Sequence, residues 1–299
     1  MTVIICSSHF ILAMEAGTTE QLIEYSLFNN HYSSKEANDV TINPKAAAAA
    51  IEEYLRPATF PVAVKLSGEE DMPEKARRPR TSLGHPINIC QGISITRHMG
   101  WTLAFLKEDH ACAPSFVILG LAAEPPELNL SGVVQPLFGE TAEACTLTND
   151  TITRLPLGKV KSIWLAPLAR TGFEPDVIIV YGSPAQVARL IHSALYRKGG
   201  AITSTFIGRN SCACELAAPF LEQKCQVVVP GSGERIFAHT QDHEMCFAIP
   251  WSLMEEVLTG LEATHKAGAM RFPTPFLGMR CRPSFPQSYR PLEEAFGIK

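Results

Sequence analysis

Three groups of residues in this chain could do chemistry: an acid, base and cation cluster late in the sequence, an arginine on an earlier helix, and an unusual number of cysteines. The first group lies in QVVVPGSGERIFAHTQDHEMCFAIP, from Gln226 to Pro250. Val227 to Val229 reads as a strand that Pro230 ends, and Gly231, Ser232 and Gly233 supply the dihedrals of a tight turn. Glu234 and Arg235 follow, and Ile236 to Ala238 reads as a short strand. Asp242, His243 and Glu244 then stand directly before a second apolar run, Met245 to Ile249. Arg97 or Arg235 could hold an anionic ligand through its planar fork, with Glu244 or His243 as acid or base. Arg235 and Glu244 could equally form a buried ion pair that staples two strands.

The nine cysteines are Cys6, Cys90, Cys112, Cys145, Cys212, Cys214, Cys225, Cys246 and Cys281. An odd count without a secretory signal argues against a disulfide framework. In a reducing cytoplasm they are then buried small apolar residues or metal ligands. Cys225 and Cys246 sit in apolar strands and read as core. Cys90 opens a helix whose Ile95, Met99, Leu103 and Leu106 follow helical spacing. Unpaired N–H groups at a helix start favour a thiolate, so Cys90 could bind metal or react, or could simply be a small residue there. Arg97 lies two turns along the same face. Cys112 falls between Asp109, His110 and Pro114, in a polar connection before an expected strand from Phe116 to Leu121. His110 could also ligate, although a lone loop histidine reads first as a surface residue. Cys212 and Cys214 form a C-x-C at the entrance to a helix over Leu216 to Leu221, a spacing that can share one metal where the backbone turns.

The elements that must position these residues alternate between strand and helix. Asn43 caps and Pro44 opens a helix through Leu55. PVAVKL from Pro61 to Leu66, Ile163 to Leu168 and DVIIVY from Asp176 to Tyr181 read as strands, the last apolar enough to be buried on both faces. Gly182, Ser183 and Pro184 lead into a helix with the stripe Val187, Leu190, Ile191 and Leu195. Ala201 to Ile207 reads as the strand that completes a strand–helix–strand unit. A second unit pairs MCFAI and Pro250 with a helix carrying Leu253, Val257 and Leu261, which suggests a weak internal repeat. The expected fold is α/β or α+β, a mixed sheet built from repeated strand–helix units with helices packed on it. Residues 1–43 read as an N-terminal extension with a first helix entered at Thr18, residues 44–268 as the main domain, and 269–299 as an extended Pro/aromatic tail. The loop-like region 122–150 could mark the meeting of two lobes. Residues 1–13 read as a mis-called start or a loose extension.

At 299 residues with a formal net charge of −4, the chain can bury a large core and lacks the basic surface that nucleic-acid binding requires. No apolar run approaches the roughly 20 residues that span a bilayer, so a cytoplasmic location is expected. GSGER is neither a Walker nor a Rossmann motif, and no H-E-x-x-H or G-x-S-x-G occurs.

PVAVKL, Cys90-Gln91 with Arg97 and Gly100, Gly120-Leu121, EPDVIIV before a proline-started helix, and GERIFA with DHEMCFAIP together resemble the DUF169 family of archaeal and bacterial proteins. The resemblance spans roughly residues 45–265. It implies recurrent cysteines at Cys90, Cys112 and Cys212 and a further one within the glycine turn, where Ser232 stands in this chain. It also groups Cys90, Gln91, Arg97, Cys112, Cys212, Arg235 and Glu244 into one candidate site.

Three functions remain open from sequence. The first is a cysteine-ligated centre with a redox or ligand-binding role, a [4Fe–4S] cluster or alternatively zinc, on Cys90, Cys112, Cys212 and Cys214, with a redox partner. The second is a small-molecule-binding protein or enzyme with an Arg/Glu-centred anionic-ligand pocket drawing on Gln91, Arg97, Arg235 and Glu244. The third is a cofactorless interaction protein.

Overall fold

The computed structural model describes residues 42–125, 135, 137–267 and 290–297. The chain divides into two units at Thr41 and Ile42, and the described residues belong to the second. The helix expected from Thr18, the cysteines Cys6 and Cys281, and the aromatics Phe272, Phe276, Phe285 and Tyr289 lie outside the described residues.

Helix α1 (Pro44–Tyr54) leads to strand β1 (Val62–Ser67), then α2 (Pro79–Ser82), α3 (Ile89–Met99), β2 (Leu103–Leu106), α4 (Ala113–Ile118) and α5 (Ala142–Asp150). Strands β3 (Ser162–Pro167) and β4 (Val177–Gly182) precede α6 (Pro184–Leu195). A π-helical turn, Ala213–Ala217, runs into α7 (Ala218–Glu222). Then come β5 (Gln226–Val228), α8 (Ser232–Ala238), β6 (Met245–Pro250) and α9 (Met254–Lys266).

The six strands form one sheet in the order β2-β3-β1-β4-β6-β5, and each neighbouring pair is antiparallel. Period-2 alternation along β4 explains its layers. Val177, Ile179 and Tyr181 point to one face, with α3 and the π-helical turn, while Ile178 and Val180 point to the other, with α1, α6 and α9. Helices therefore cover both faces, and each fully buried aliphatic side chain contributes about 1.5–3 kcal/mol of transfer free energy. The chain is thus a mixed α/β protein, as its alternation of strands and helices suggests. Local capping follows sequence as well. Asn43 accepts from the Ala46 amide at 2.8 Å, and Ser183 accepts from Gln186 at the start of α6.

Several elements differ from their sequence reading for physical reasons. Gly100, at φ +71°, ends α3, so Leu103 and Leu106 belong to strand β2 and not to the preceding helix. Pro114 sits in the first turn of α4, so Phe116 opens into a helix where a strand was expected. The 122–150 region includes helix α5, capped by Thr141, with Cys145 fully buried. Ala201 to Ile207 forms no strand, although Ser204 Oγ accepts the β5 amide of Val227 at 2.8 Å. Ile236 to Ala238 lies in helix α8, with Ile236 and Phe237 exposed. A three-residue apolar run is too short for its period to be read. Among the described residues no helix is long and apolar enough to cross a membrane.

Candidate functional site

On α3, Ile89, Ile93 and Arg97 follow one another at i, i+4 and i+8 and face the sheet, so the third position of an apolar stripe is a guanidinium. Arg97 is 1 % exposed. Its Nη1 and Nη2 donate to the two carboxylate oxygens of Glu244 at 2.6 and 2.9 Å, and Glu244 also accepts from the Gln241 amide at 2.8 Å. The guanidinium lies 4.0 Å from the centre of the Tyr181 ring, a cation–π contact that adds to the fork. Burial alone would raise the Glu244 carboxyl and lower Arg97. Burial is the largest single effect on each, but their mutual hydrogen bonds and charges, with the Gln241 amide on Glu244 and the neighbouring Tyr181 and Glu234 on Arg97, together outweigh it, holding Glu244 below the usual carboxylate range and Arg97 above its own.

The far end of the same tyrosine meets two carboxyls. Tyr181 Oη lies 2.9 Å from Glu215 Oε1 and in close hydrogen-bond contact with Glu234 Oε1, which also accepts from Thr240 Oγ1 at 3.0 Å. The phenol has one proton for two partners, so the second bond requires a protonated carboxyl. Glu215 supplies it: complete burial, then the neighbouring Glu234, push its carboxyl well above the ordinary range. Burial and the same two carboxyls raise the phenol too. Oε2 of Glu215 and Oε2 of Glu234 are buried without a hydrogen-bond partner among the described residues. Glu215 reaches this centre from the π-helical turn, a wide turn that proteins often use at functional sites.

The thiols surround this centre but do not form a metal site. Cys90 is the second residue of α3, yet its thiol is pushed up to about 12 by burial and then by Glu234 and Glu215. The helix start does not yield a thiolate there. Cys212 is also raised well above the ordinary thiol range, by burial and then by Cys112 and Cys90 nearby, whereas Cys214, pushed up to about 11, donates to the Thr205 carbonyl at 3.3 Å. Among the described residues no group of three or more His, Cys, Asp or Glu is placed to hold a metal ion. This overturns the expected [4Fe–4S] or zinc centre on Cys90, Cys112, Cys212 and Cys214, and with it the reading of the surplus cysteines as ligands. Cys145, Cys225 and Cys246 are buried as small apolar residues.

The remaining candidates are spread out. Gln91 Oε1 accepts from the Asn88 amide at 2.9 Å and so caps α3. Arg235 points away from Glu244. It donates to the carbonyls of Pro230 at 3.1 Å and Gln241 at 2.5 Å, and lies 3.8 Å from Asp242. Glu244 therefore pairs with Arg97 and not with Arg235. His110 is buried between Phe105 and Phe116 and is no surface residue. Tyr181 and Glu215 carry no sequence motif, and their signal is a hydroxyl or carboxyl set inside apolar runs, VIIVY and ACELAA; Glu234 stands instead in GSGER, beside Arg235. A separate cavity of about 450 Å³ shares none of Arg97, Tyr181, Glu215, Glu234 and Glu244; Leu195, Ile202, Cys214, Cys225 and Val257 line it, with Lys198 and Glu256 paired at 2.7 Å.

Residues 50–260 match the DUF169 family, described as "Uncharacterised ArCR". The chain is also 28 % identical over 205 residues to an uncharacterised protein of Methanocaldococcus jannaschii, an alignment covering 67 % of this chain and 86 % of that protein. No solved structure matches it. With more than half of its length matched, the chain belongs to the DUF169 family.

Proposed function

We propose that the protein binds a small anionic molecule at the polar centre built on Arg97, Tyr181 and Glu244. The observation that carries this reading is the gradient of exposure along the ion pair, from 1 % at the Arg97 side chain to 11 % at that of Glu244. Glu244 is the partner nearer solvent, on the connection between α8 and β6, and its carboxylate occupies the arginine fork as a ligand carboxylate or phosphate would. Turning Glu244 outward exchanges one anion for another on Arg97, without leaving a buried cation uncompensated. Behind it, protonated Glu215 and the Tyr181 hydroxyl offer a proton to a bound ligand, and Glu234 completes the chain of hydrogen bonds. Five ionisable groups gathered in one core, two of them strongly shifted, suit a working site better than a purely apolar interior. We further place the protein in the cytoplasm, where the seven free thiols among the described residues would remain reduced.

A panel of small carboxylates and phosphates tested by thermal melting on wild type and Arg97→Lys checks this. Compounds that stabilise the wild type and leave Arg97→Lys unmoved support the reading, because lysine lacks the planar fork. A panel in which no compound distinguishes the two proteins contradicts it.

A further inference from the structure

A second buried arginine lies apart from this centre. Arg209 is 6 % exposed and, unlike Arg97, has no carboxylate opposite it among the described residues. Its Nη2 donates to Asn149 Oδ1 at 2.8 Å, and its guanidinium stacks 4.7 Å from the centre of the Phe138 ring. Nε and Nη1 are buried with no hydrogen-bond partner among the described residues. A guanidinium is charged at every accessible pH, so it cannot escape the cost of burial by losing a proton.

Arg209 lines a cavity of about 80 Å³ together with Arg154, Asn149, Asn210, Phe138 and Glu124. Arg154 is 40 % exposed and meets Glu124 at 3.6 Å, so among the described residues that line the cavity one carboxylate stands against two guanidinium groups. The loop that carries Arg209 is fixed on both sides. Gly208 O accepts from the Ser232 amide at 3.1 Å, and Ser211 Oγ accepts from the Gly231 amide at 2.8 Å. The donors are therefore held in place before any ligand arrives.

We propose that this cavity is a seat for a compact tetrahedral oxyanion, phosphate or sulfate, either free or as the end of a larger molecule. The anion supplies the counter-charge that no described residue gives Arg209 and accepts from Nε and Nη1, while Arg154 closes the mouth. This site is independent of the Arg97 centre and stands whether or not that centre binds a ligand.

Titration calorimetry of the full chain with inorganic phosphate tests it in an Arg97→Lys background, which disables the other fork, alone and combined with Arg209→Met or Arg154→Met. The expected result is one saturable site in Arg97→Lys, lost when Arg209→Met is added and weakened roughly tenfold when Arg154→Met is added. Sulfate is expected to compete and acetate is not, and glycerol phosphate measured alongside separates a free ion from the end of a larger ligand. Arg209→Met should melt no lower than wild type without phosphate, since it removes a buried cation that has no carboxylate partner among the described residues. Should that variant fail to fold, the more exposed Arg154→Met carries the test. No saturable phosphate binding by Arg97→Lys, or binding that survives when a folded Arg209→Met is added or stays at full strength when Arg154→Met is added, would overturn the proposal.

Discussion

Arg97 and Glu244 stand 147 residues apart in the chain and meet in two hydrogen bonds of 2.6 and 2.9 Å. The pair ties α3 to the start of β6 across the face of the sheet that carries Tyr181. Removing one partner strands the other in the core. Arg97→Met or Glu244→Leu alone is expected to cost about 3–5 kcal/mol, and the double variant clearly less than the sum. Urea denaturation of the four proteins measures the coupling, and strict additivity would show that the two groups do not depend on each other.

Glu215 sets an alkaline limit to stability. Its folded-state carboxyl is raised by burial, so the native protein keeps a proton that the unfolded chain releases above about pH 4.3. Its contribution is complete below that pH and is lost progressively as pH rises toward the folded value. Glu215→Gln, which keeps a donor toward the Tyr181 oxygen and cannot ionise, should therefore gain stability over wild type as pH rises from 4 to 8. Denaturant midpoints across that range test it; curves that run parallel would contradict a protonated Glu215.

His110 has the opposite sign. The ring is 5 % exposed, lies 5.0 and 5.9 Å from the rings of Phe105 and Phe116, and neither nitrogen has a hydrogen-bond partner among the described residues. Burial pushes its pKa down to about 4, against the pull of Asp109 and Glu108. The unfolded chain binds a proton near pH 6.5 that the native state refuses, so stability present above pH 6.5 falls as pH drops toward 4. The loss approaches about 3 kcal/mol at the acid end. His110→Phe should flatten this slope in melting curves between pH 7 and 4, and an unchanged acid slope would show that another group causes it.

Helices α6 and α9 approach at Gly260, where an added Cβ would lie 2.0 Å from the Ser193 carbonyl oxygen. The obstacle is backbone and cannot swing aside. Gly260→Ala is expected to destabilise by about 1–3 kcal/mol despite the better helix propensity of alanine. Chemical denaturation decides: a stabilised variant would mean that the two helices can separate at little cost.

What is legible in sequence follows from how locally each feature is encoded. The apolar run of β4 and the prolines at the starts of α1 and α6 specify their elements within a few residues, and the structure has them there. Arg97 and Glu244 are visible as candidates, but their pairing depends on the antiparallel neighbourhood of β4 and β6, which no local pattern states. Arg235 is nearer to Glu244 in sequence yet is turned away by helix α8, because GSGER begins a helix and not a hairpin. Cys90 illustrates a competition of effects. Its helix-start position argues for a thiolate, and burial beside two carboxyls wins. Tyr181 and Glu215 pass unnoticed because each looks like an isolated polar residue in an apolar stretch, and nothing local pairs Glu234 with them until the sheet and the π-helical turn bring the three together.

Binding of an anion by Glu244→Gln, compared with wild type, tests the central claim most directly. Calorimetric titration with the small carboxylate or phosphate that most stabilises the wild type is the measurement. Removing the internal competitor from the Arg97 fork is expected to tighten binding by about tenfold or more, and adding Arg97→Lys in the same background to abolish the gain. Equal binding by wild type and Glu244→Gln, or binding indifferent to Arg97, would contradict a ligand site on this arginine.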